Sequence, residues 1–294
     1  MDGKTVLVAG ATGYIGRNIA WALHEGGYRV RALARDPRRL APVRDACDEV
    51  FTGEATRPGT LDGLCDGVDV IVSSIGLRTL RSRPTPEAVD LHANLNVLEQ
   101  GLRAGVRRFI FVSVLHAVDM MESVPVLRPR EEFIQRLKDS GLNWTVLRPT
   151  GAFNDMAEIF RFAQRGWGIV FGHGQYRINP VHPADIGQVV VNAITDPSLH
   201  NAEFGFGGPD TYTVAGIADL ARRVLDRRQR MLHLPYWPVD ALAAAVGPFN
   251  RNASGFLTFF RRALSRDMVG VPIGQHHLQD YFRALAGDGD TGSF

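Results

Sequence analysis

Val6-Leu7-Val8-Ala9-Gly10-Ala11-Thr12-Gly13-Tyr14-Ile15-Gly16-Arg17 is the stretch on which the fold turns. An unbroken apolar run ends in three glycines spaced three apart, and an apolar-faced segment, Ile15 to Leu23, follows. The run reads as a strand buried on both faces, the pattern of a parallel sheet. Glycines allow a sharp turn and a close approach of ligand to backbone. A helix that opens there points free N–H groups and its positive dipole end into the turn. That geometry suits a pyrophosphate. The spacing is GxxGxxG, not the GxGxxG dinucleotide fingerprint; its weight comes from standing between a strand and a helix. The stretch predicts a dinucleotide held by the N-terminal strand, turn and helix.

The 294 residues are 45% hydrophobic, enough for one large domain or two unequal lobes sharing a core. A net charge of +2 points neither to nucleic acid nor to an acidic membrane surface. Lysine occurs only at Lys4 and Lys138, so arginine carries the positive charge, and most arginines are scattered. Cys47 and Cys65 fit neither a disulfide framework nor a zinc site, and no His/Cys/carboxylate cluster has metal spacing. With no signal-peptide pattern and no apolar run long enough to span a bilayer, the expectation is a cytoplasmic protein.

Outward from the first turn, Gly26-Gly27 closes the helix and Tyr28 to Ala34 reads as a second strand. Its tip, Arg35-Asp36, is where such folds read the adenosine ribose: an acid accepts from a 2′-hydroxyl, an arginine favours a 2′-phosphate. Arg17 and Arg35 together favour NADP(H) over NAD(H), with Asp36 as the competing ribose acceptor. Val50-Phe51-Thr52 is a third strand, and Gly53-Glu54 after it is placed beside the adenine. Leu61 to Cys65 reads as a short helix. Val68 to Val72 is a fourth strand ending in Ser73-Ser74-Ile75-Gly76, and Arg78 to Pro86 a polar loop. Glu87 to Ala104 is helical, and Phe109 to Ser113 is the fifth strand. Glu131 to Lys138 is helical, and Leu142 to Leu147 is a sixth strand that Arg148-Pro149-Thr150-Gly151 breaks.

Alternating strands and helices predict a doubly wound parallel sheet, Rossmann-like, with ligands outside the carboxyl ends of the strands. Gly10, Arg35, Gly53, Ser74 and Ser113 all fall at such ends. Residues 1–150 form the expected core. Residues 151–294 form a smaller substrate lobe with segments returning to the core, and 287–294 a flexible tail.

These residues, with Gly105 to Ser113, Ser140 to Gly151 and Pro180 to Gly187, resemble the atypical short-chain dehydrogenases/reductases of the NmrA-like group. They are similar in particular to the NAD(P)H-binding accessory subunit family of respiratory complex I. The likeness covers residues 4 to about 225. It implies a nicotinamide cofactor and a substrate pocket from the C-terminal half. It puts Gly10, Thr12, Gly13, Tyr14, Ile15 and Gly16 on the phosphate turn and Arg17 and Arg35 on the 2′-phosphate. Ser74 and Gly76 fall on the nicotinamide-side loop, and Pro149, Thr150 and Gly151 on the loop beside the nicotinamide, while Glu54 keeps its place in the turn beside the adenine. The chain departs from the family's Ser and Tyr-x-x-x-Lys set. Ser113 fills the first slot, Val126 the Tyr slot and Arg130 the Lys slot. Val126 carries no proton, and Arg130 can hold a ribose hydroxyl but stays charged.

The proton must then come from elsewhere. His116, three residues past Ser113, is the first candidate because imidazole titrates near neutral pH; the alternative is a histidine that only packs. Ser113 either polarises a carbonyl or caps the strand end. His182 reads as packing or pocket lining. Phe153, Met156, Phe160, Trp167, Trp237 and Phe249 either form core or line a cleft for a small apolar, aromatic-type substrate. The expected function is an NADPH-dependent reductase of an apolar carbonyl, enone or quinone-like molecule, acting as monomer or homodimer. The rivals are a non-catalytic NAD(P)(H)-binding sensor or assembly subunit, and an epimerase or isomerase that retains its cofactor.

Overall fold

Thr5–Ala9 (β1) is buried at every position, as a strand covered on both faces must be. In the computed structural model, which describes residues 3–77, 80–226 and 230–287, it lies within a sheet of eight parallel strands. The other strands are β2 (Arg29–Ala34), β3 (Glu49–Thr52), β4 (Val70–Ser73), β5 (Arg108–Val112), β6 (Asn143–Pro149), β7 (Trp167–Phe171), β8 (Arg177–Ile178), β9 (Ala202–Gly207), β10 (Tyr212–Thr213), β11 (Arg230–Leu234) and β12 (Val271–Pro272). The large sheet runs β12-β9-β6-β5-β4-β1-β2-β3. Val6 stands opposite Val30 on one side and Val70 on the other. Two small pairs, β10 with β8 and β11 with β7, lie outside it.

The helices are α1 (Tyr14–Glu25), α2 (Asn94–Arg103), α3 (Ala117–Met120), α4 (Arg128–Lys138), α5 (Phe153–Gln164), α6 (Pro183–Thr195), α7 (Val214–Val224), α8 (Trp237–Val246), α9 (Arg251–Ala263) and α10 (Leu278–Gly287). Alternate residues of β1 feed two cores. Val6 and Val8 pack with Ile19, Leu23, Ile186 and Val190 of α1 and α6. Leu7 and Ala9 share the opposite face with Val97, Phe133 and Leu137 of α2 and α4. Helices on both faces of a parallel sheet are the doubly wound arrangement. Helices α1 and α6 approach closely at Gly187, where a Cβ would stand 2.7 Å from the Asn18 carbonyl oxygen.

The chain beyond residue 150 serves two layers. Strands β9 and β12 extend the large sheet past β6. Helices α5, α7 and α10 close a separate core around Phe153, Phe160, Leu220 and Phe282. Of the six residues that left core and cleft open, Phe153, Met156 and Phe160 belong to this core. Trp167, Trp237 and Phe249 are exposed.

Three local expectations are corrected. Leu61 to Cys65 is not a helix but a run of turns, with Leu64 N–H donating to Leu61 O and Val68 N–H to Cys65 O. Gly63 and Gly67 have φ of 78° and 70°, a left-handed backbone that ends a right-handed helix. Strand β6 continues through Arg148 to Pro149, because carboxylates meet the Arg148 charge inside the structure. The helix expected from Glu87 opens as wider π-type turns over Glu87–Ala93 before α2 begins. Helix α10 ends at Gly287, and residues 288–294 of the expected tail lie outside the described residues. Cys47 and Cys65 are both free and buried, and burial pushes the Cys65 thiol up to about 12.

Candidate functional site

Gly10, Arg35, Gly53, Ser74 and Ser113 are each the first residue past a strand, β1 to β5 respectively. They form one rim. At its middle, Gly10 has φ 96°, and a Cβ on it would stand 2.7 Å from the Ser74 hydroxyl. A Cβ on Gly16 would stand 2.1 Å from the Gly10 carbonyl oxygen. The turn closes through Gly13 N–H to Gly10 O at 2.9 Å, and Arg17 N–H donates to Gly13 O at 3.0 Å. No side chain caps α1. The amides of its first turn, Ile15 and Gly16 among them, therefore face outward without an intrahelical acceptor. An uncapped helix start behind a turn in which side chains would collide fits a pyrophosphate. Thr12 is half-buried in the same turn.

The buried Nε of Arg17 has no hydrogen-bond partner, so this guanidinium retains a donor for a ligand at the turn. Arg35 is 61% exposed and stands 3.9 Å from Glu54. Glu54 also pairs with Arg57 at 3.2 Å and accepts from the Thr56 hydroxyl. Asp36, the competing ribose acceptor, is engaged locally. It accepts from the Arg38 N–H and Nε, at 3.1 and 2.9 Å. The hydrogen bonds from Arg38 hold its carboxyl below the usual range.

The loop after β4 is fixed from below. Arg130 donates to Asp90 Oδ1 from Nε at 2.9 Å and Nη2 at 2.5 Å. Asp90 Oδ2 accepts from Leu77 N–H at 3.0 Å. A Cβ on Gly76 would stand 1.8 Å from Arg130 Nη2, so a side chain there would have to push the guanidinium off Asp90. Asn94 completes the clamp: its Oδ1 accepts from Ser73 Oγ at 2.6 Å, and its amide donates to Ile75 O and Asp90 O. Arg130, in the Lys slot, thus reaches the expected loop but is bound to Asp90.

Ser113 is buried, and Arg148 Nη1 donates to its hydroxyl at 3.5 Å. Arg148 is held bidentately by Glu131, both bonds 2.8 Å, and by Glu203 at 2.5 Å. Burial alone would raise the Glu203 carboxyl pKa. Hydrogen bonds from Lys138 and Arg148 outweigh it and lower the pKa. His116 has φ 58° at the start of α3. Its Nδ1 pairs with Asp119 Oδ2 at 2.9 Å, and Arg266 joins that carboxylate at 3.4 Å. Val126 lies under α9, where a Cβ on Gly255 would stand 2.2 Å from its Cγ1. Val126, which the resemblance puts in the tyrosine's slot, is thus packed against a helix.

Pro149, Thr150 and Gly151 are fixed by backbone and hydroxyl bonds. Thr150 donates from N–H to Phe206 O and from Oγ1 to Asn179 O, and Gly151 O accepts from Val181 N–H. His182, next along, accepts the Ala184 N–H at Nδ1 and stacks on His276 at 4.3 Å. Burial, with the charge of His276, pushes it down to about 4.

A family model described as NAD(P)H-binding matches residues 10–197. The chain belongs to the NAD(P)H-binding family. A (4-alkanoyl-5-oxo-2,5-dihydrofuran-3-yl)methyl phosphate reductase of Streptomyces griseus is 31% identical over 244 residues, 82% of this chain and 80% of that one. A photosystem II assembly factor, Ycf39 of Cyanophora paradoxa, is 26% identical over 239 residues, 79% and 72% of the two chains. An NADPH-dependent quinone oxidoreductase of Escherichia coli, solved with NADPH, superposes with a TM-score of 0.74 at 18% identity. That superposition covers 95% of this chain and 99% of the other. The doubly wound fold is shared. Among the described residues no helix is long and apolar enough to cross a membrane, and no group of His, Cys, Asp and Glu is placed to hold a metal ion.

The residues that the sequence did not single out are Asp90, Asn94, Glu131, Arg148 and Glu203. The available signal was charge inside otherwise apolar or helical runs, as at Arg148 within Val146-Leu147-Arg148-Pro149.

Proposed function

We propose that the chain is an NADPH-dependent reductase of a small apolar carbonyl, enone or quinone-like molecule. The observation that carries this reading is the uncapped start of α1 behind the Gly10–Gly16 turn, with the unpartnered Arg17 Nε beside it. Bound there, the nicotinamide dinucleotide would supply a hydride. The amides of Ile15 and Gly16 hold its pyrophosphate, and Arg17 and Arg35 its 2′-phosphate. Ser113 accepts from Arg148, which leaves the hydroxyl proton free to donate to a carbonyl oxygen. Asp119 accepts from His116 Nδ1–H, which leaves Nε2 as the nitrogen through which the ring would take up and pass on a proton. The reductase and oxidoreductase names of two similar proteins agree with this reading.

The packing of Val126 against Gly255 favours a second reading, a non-catalytic NAD(P)H-binding sensor or assembly subunit. Ycf39 is named an assembly factor. The finer kinship to the complex I accessory subunits belongs with it. NADPH and NADH are to be added separately with a panel of quinones and enones while nicotinamide absorbance is followed. Turnover supports the reductase; tight NADPH binding without turnover across the panel supports the second reading. Arg35→Ala is expected to weaken NADPH about tenfold while sparing NADH. An unchanged ratio of the two affinities removes the NADPH assignment.

A further inference from the structure

The rim accounts for the carboxyl ends of the strands. At their amino ends, about 17 Å away along a five-residue strand, the described residues form a half-open cavity of about 420 Å³. It is lined by the segments that enter β1, β4, β5 and β6 and by the end of α6. Its charged lining is Lys4, Arg107 and Arg108 against one carboxylate, Asp69, and His200 also lines it. Asp69 is occupied in part, since its Oδ2 accepts from Thr5 N–H at 2.8 Å.

Arg108 is 6% exposed, and no carboxylate among the described residues pairs with it. Nη1 donates to Asn143 Oδ1 at 2.7 Å, and Nη2 to Thr145 Oγ1 at 2.6 Å and Ala193 O at 2.5 Å. The last contact lies at the C-terminus of α6, whose dipole offsets part of the charge. Nε has no partner. Burial pulls this guanidinium down to about 10.

The bond from Arg108 also decides a proton. A guanidinium only donates, so the Asn143 atom facing it must be the oxygen, and the Asn143 NH₂ group then faces His200 Nδ1 at 2.9 Å. His200 Nδ1 therefore accepts, and its neutral ring carries the hydrogen on Nε2. Burial, and next the charge of Arg108, lower the His200 pKa against the opposing charge of Asp196. His200 Nε2 is buried and has no partner. Two buried donors from residues lining one cavity thus lack acceptors, and leaving a buried donor unmet is costly.

We propose that this cavity binds a small oxyanion, a phosphate or a carboxylate, with Arg108 and His200 at its floor and Lys4 and Arg107 at its mouth. Both arginine and histidine offer N–H groups to such a ligand, and two exposed cations would draw it in. The site is separate from the cofactor turn and does not depend on the reading of the reaction.

The test is titration of the full chain at fixed ionic strength with orthophosphate in one arm and malonate in the other. The His200 side-chain Nε2–H resonance is followed with and without saturating NADPH. A saturable shift, with a midpoint unchanged by NADPH, is the expected result, and the tighter arm names the ligand class. The Lys4→Ala, Arg107→Ala double variant changes only exposed side chains, and it should raise the midpoint about tenfold. His200→Gln should abolish binding while the cofactor affinity stays as it was. A drift without saturation in both arms overturns the proposal. So does equal binding in the double variant, or displacement of the anion by NADPH.

Discussion

At the carboxyl ends of the strands two inward guanidiniums meet carboxylates, Arg130 with Asp90 and Arg148 with Glu131 and Glu203. At the amino ends of the same sheet Arg108 meets only an amide, a hydroxyl and a carbonyl. An anion held at the rim as proposed would meet main-chain amides, which carry no net charge and need no counterion, so the two arginines there can be neutralised. The opposite end has no uncapped helix start among its lining segments, and there the side chains supply the donors. On the two proposals, one sheet would present two kinds of anion-facing surface, one of dipoles and one of charges.

The largest expected effect separates the matched from the unmatched arginine. Arg148→Met strands two carboxylates, one of them nine-tenths buried, and should cost about 3–5 kcal/mol in urea unfolding. A loss under about 1 kcal/mol would mean that the charge pairing does not hold this end together. Gly16→Ala forces a Cβ to 2.1 Å from Gly10 O. It should weaken NADPH by about a hundredfold, about 2.7 kcal/mol by calorimetry, and leave the oxyanion titration of the other end unmoved.

The third test is of pH. The folded pKa of His182, about 4, lies below its unfolded 6.5. The unfolded chain takes up the proton first, so this contribution is complete above pH 6.5 and is lost as pH falls towards 4. The loss should reach about 2–3 kcal/mol. His182→Asn keeps an acceptor for Ala184 N–H and should flatten the melting-temperature profile over that range. Smaller again, Arg108→Met leaves neutral acceptors rather than charges behind and should cost about 1–3 kcal/mol. A cost equal to that of Arg148→Met would erase the distinction between the two ends.

The sheet was legible because its strands are buried on both faces, and burial on both faces writes apolar runs such as Val6–Ala9 and Phe109–Val112. The rim followed from the same reading, since the residue after each strand is fixed once the strand is. Leu61 to Cys65 misled for a related reason: its buried side chains plug the core from a chain of turns, and apolar spacing alone does not tell a plug from a helix. The polar clamps were not legible. Glu131, Arg148 and Glu203 come from α4, β6 and β9, and only the folded order of strands brings them together. Val126 and Gly255 meet across most of the C-terminal half, so the packing of a helix on Val126, the position the resemblance gives to a tyrosine, was not legible in the sequence.

The Asp90–Arg130 bridge has one more consequence. It ties Leu77 N–H, the Gly76 backbone and the Phe111 ring into one unit before any ligand arrives. The wall after β4 is therefore rigid stock, cut to shape in advance. The α8–α9 hairpin, by contrast, hangs from the 80–84 backbone by the amide groups of Asn250 and Asn252.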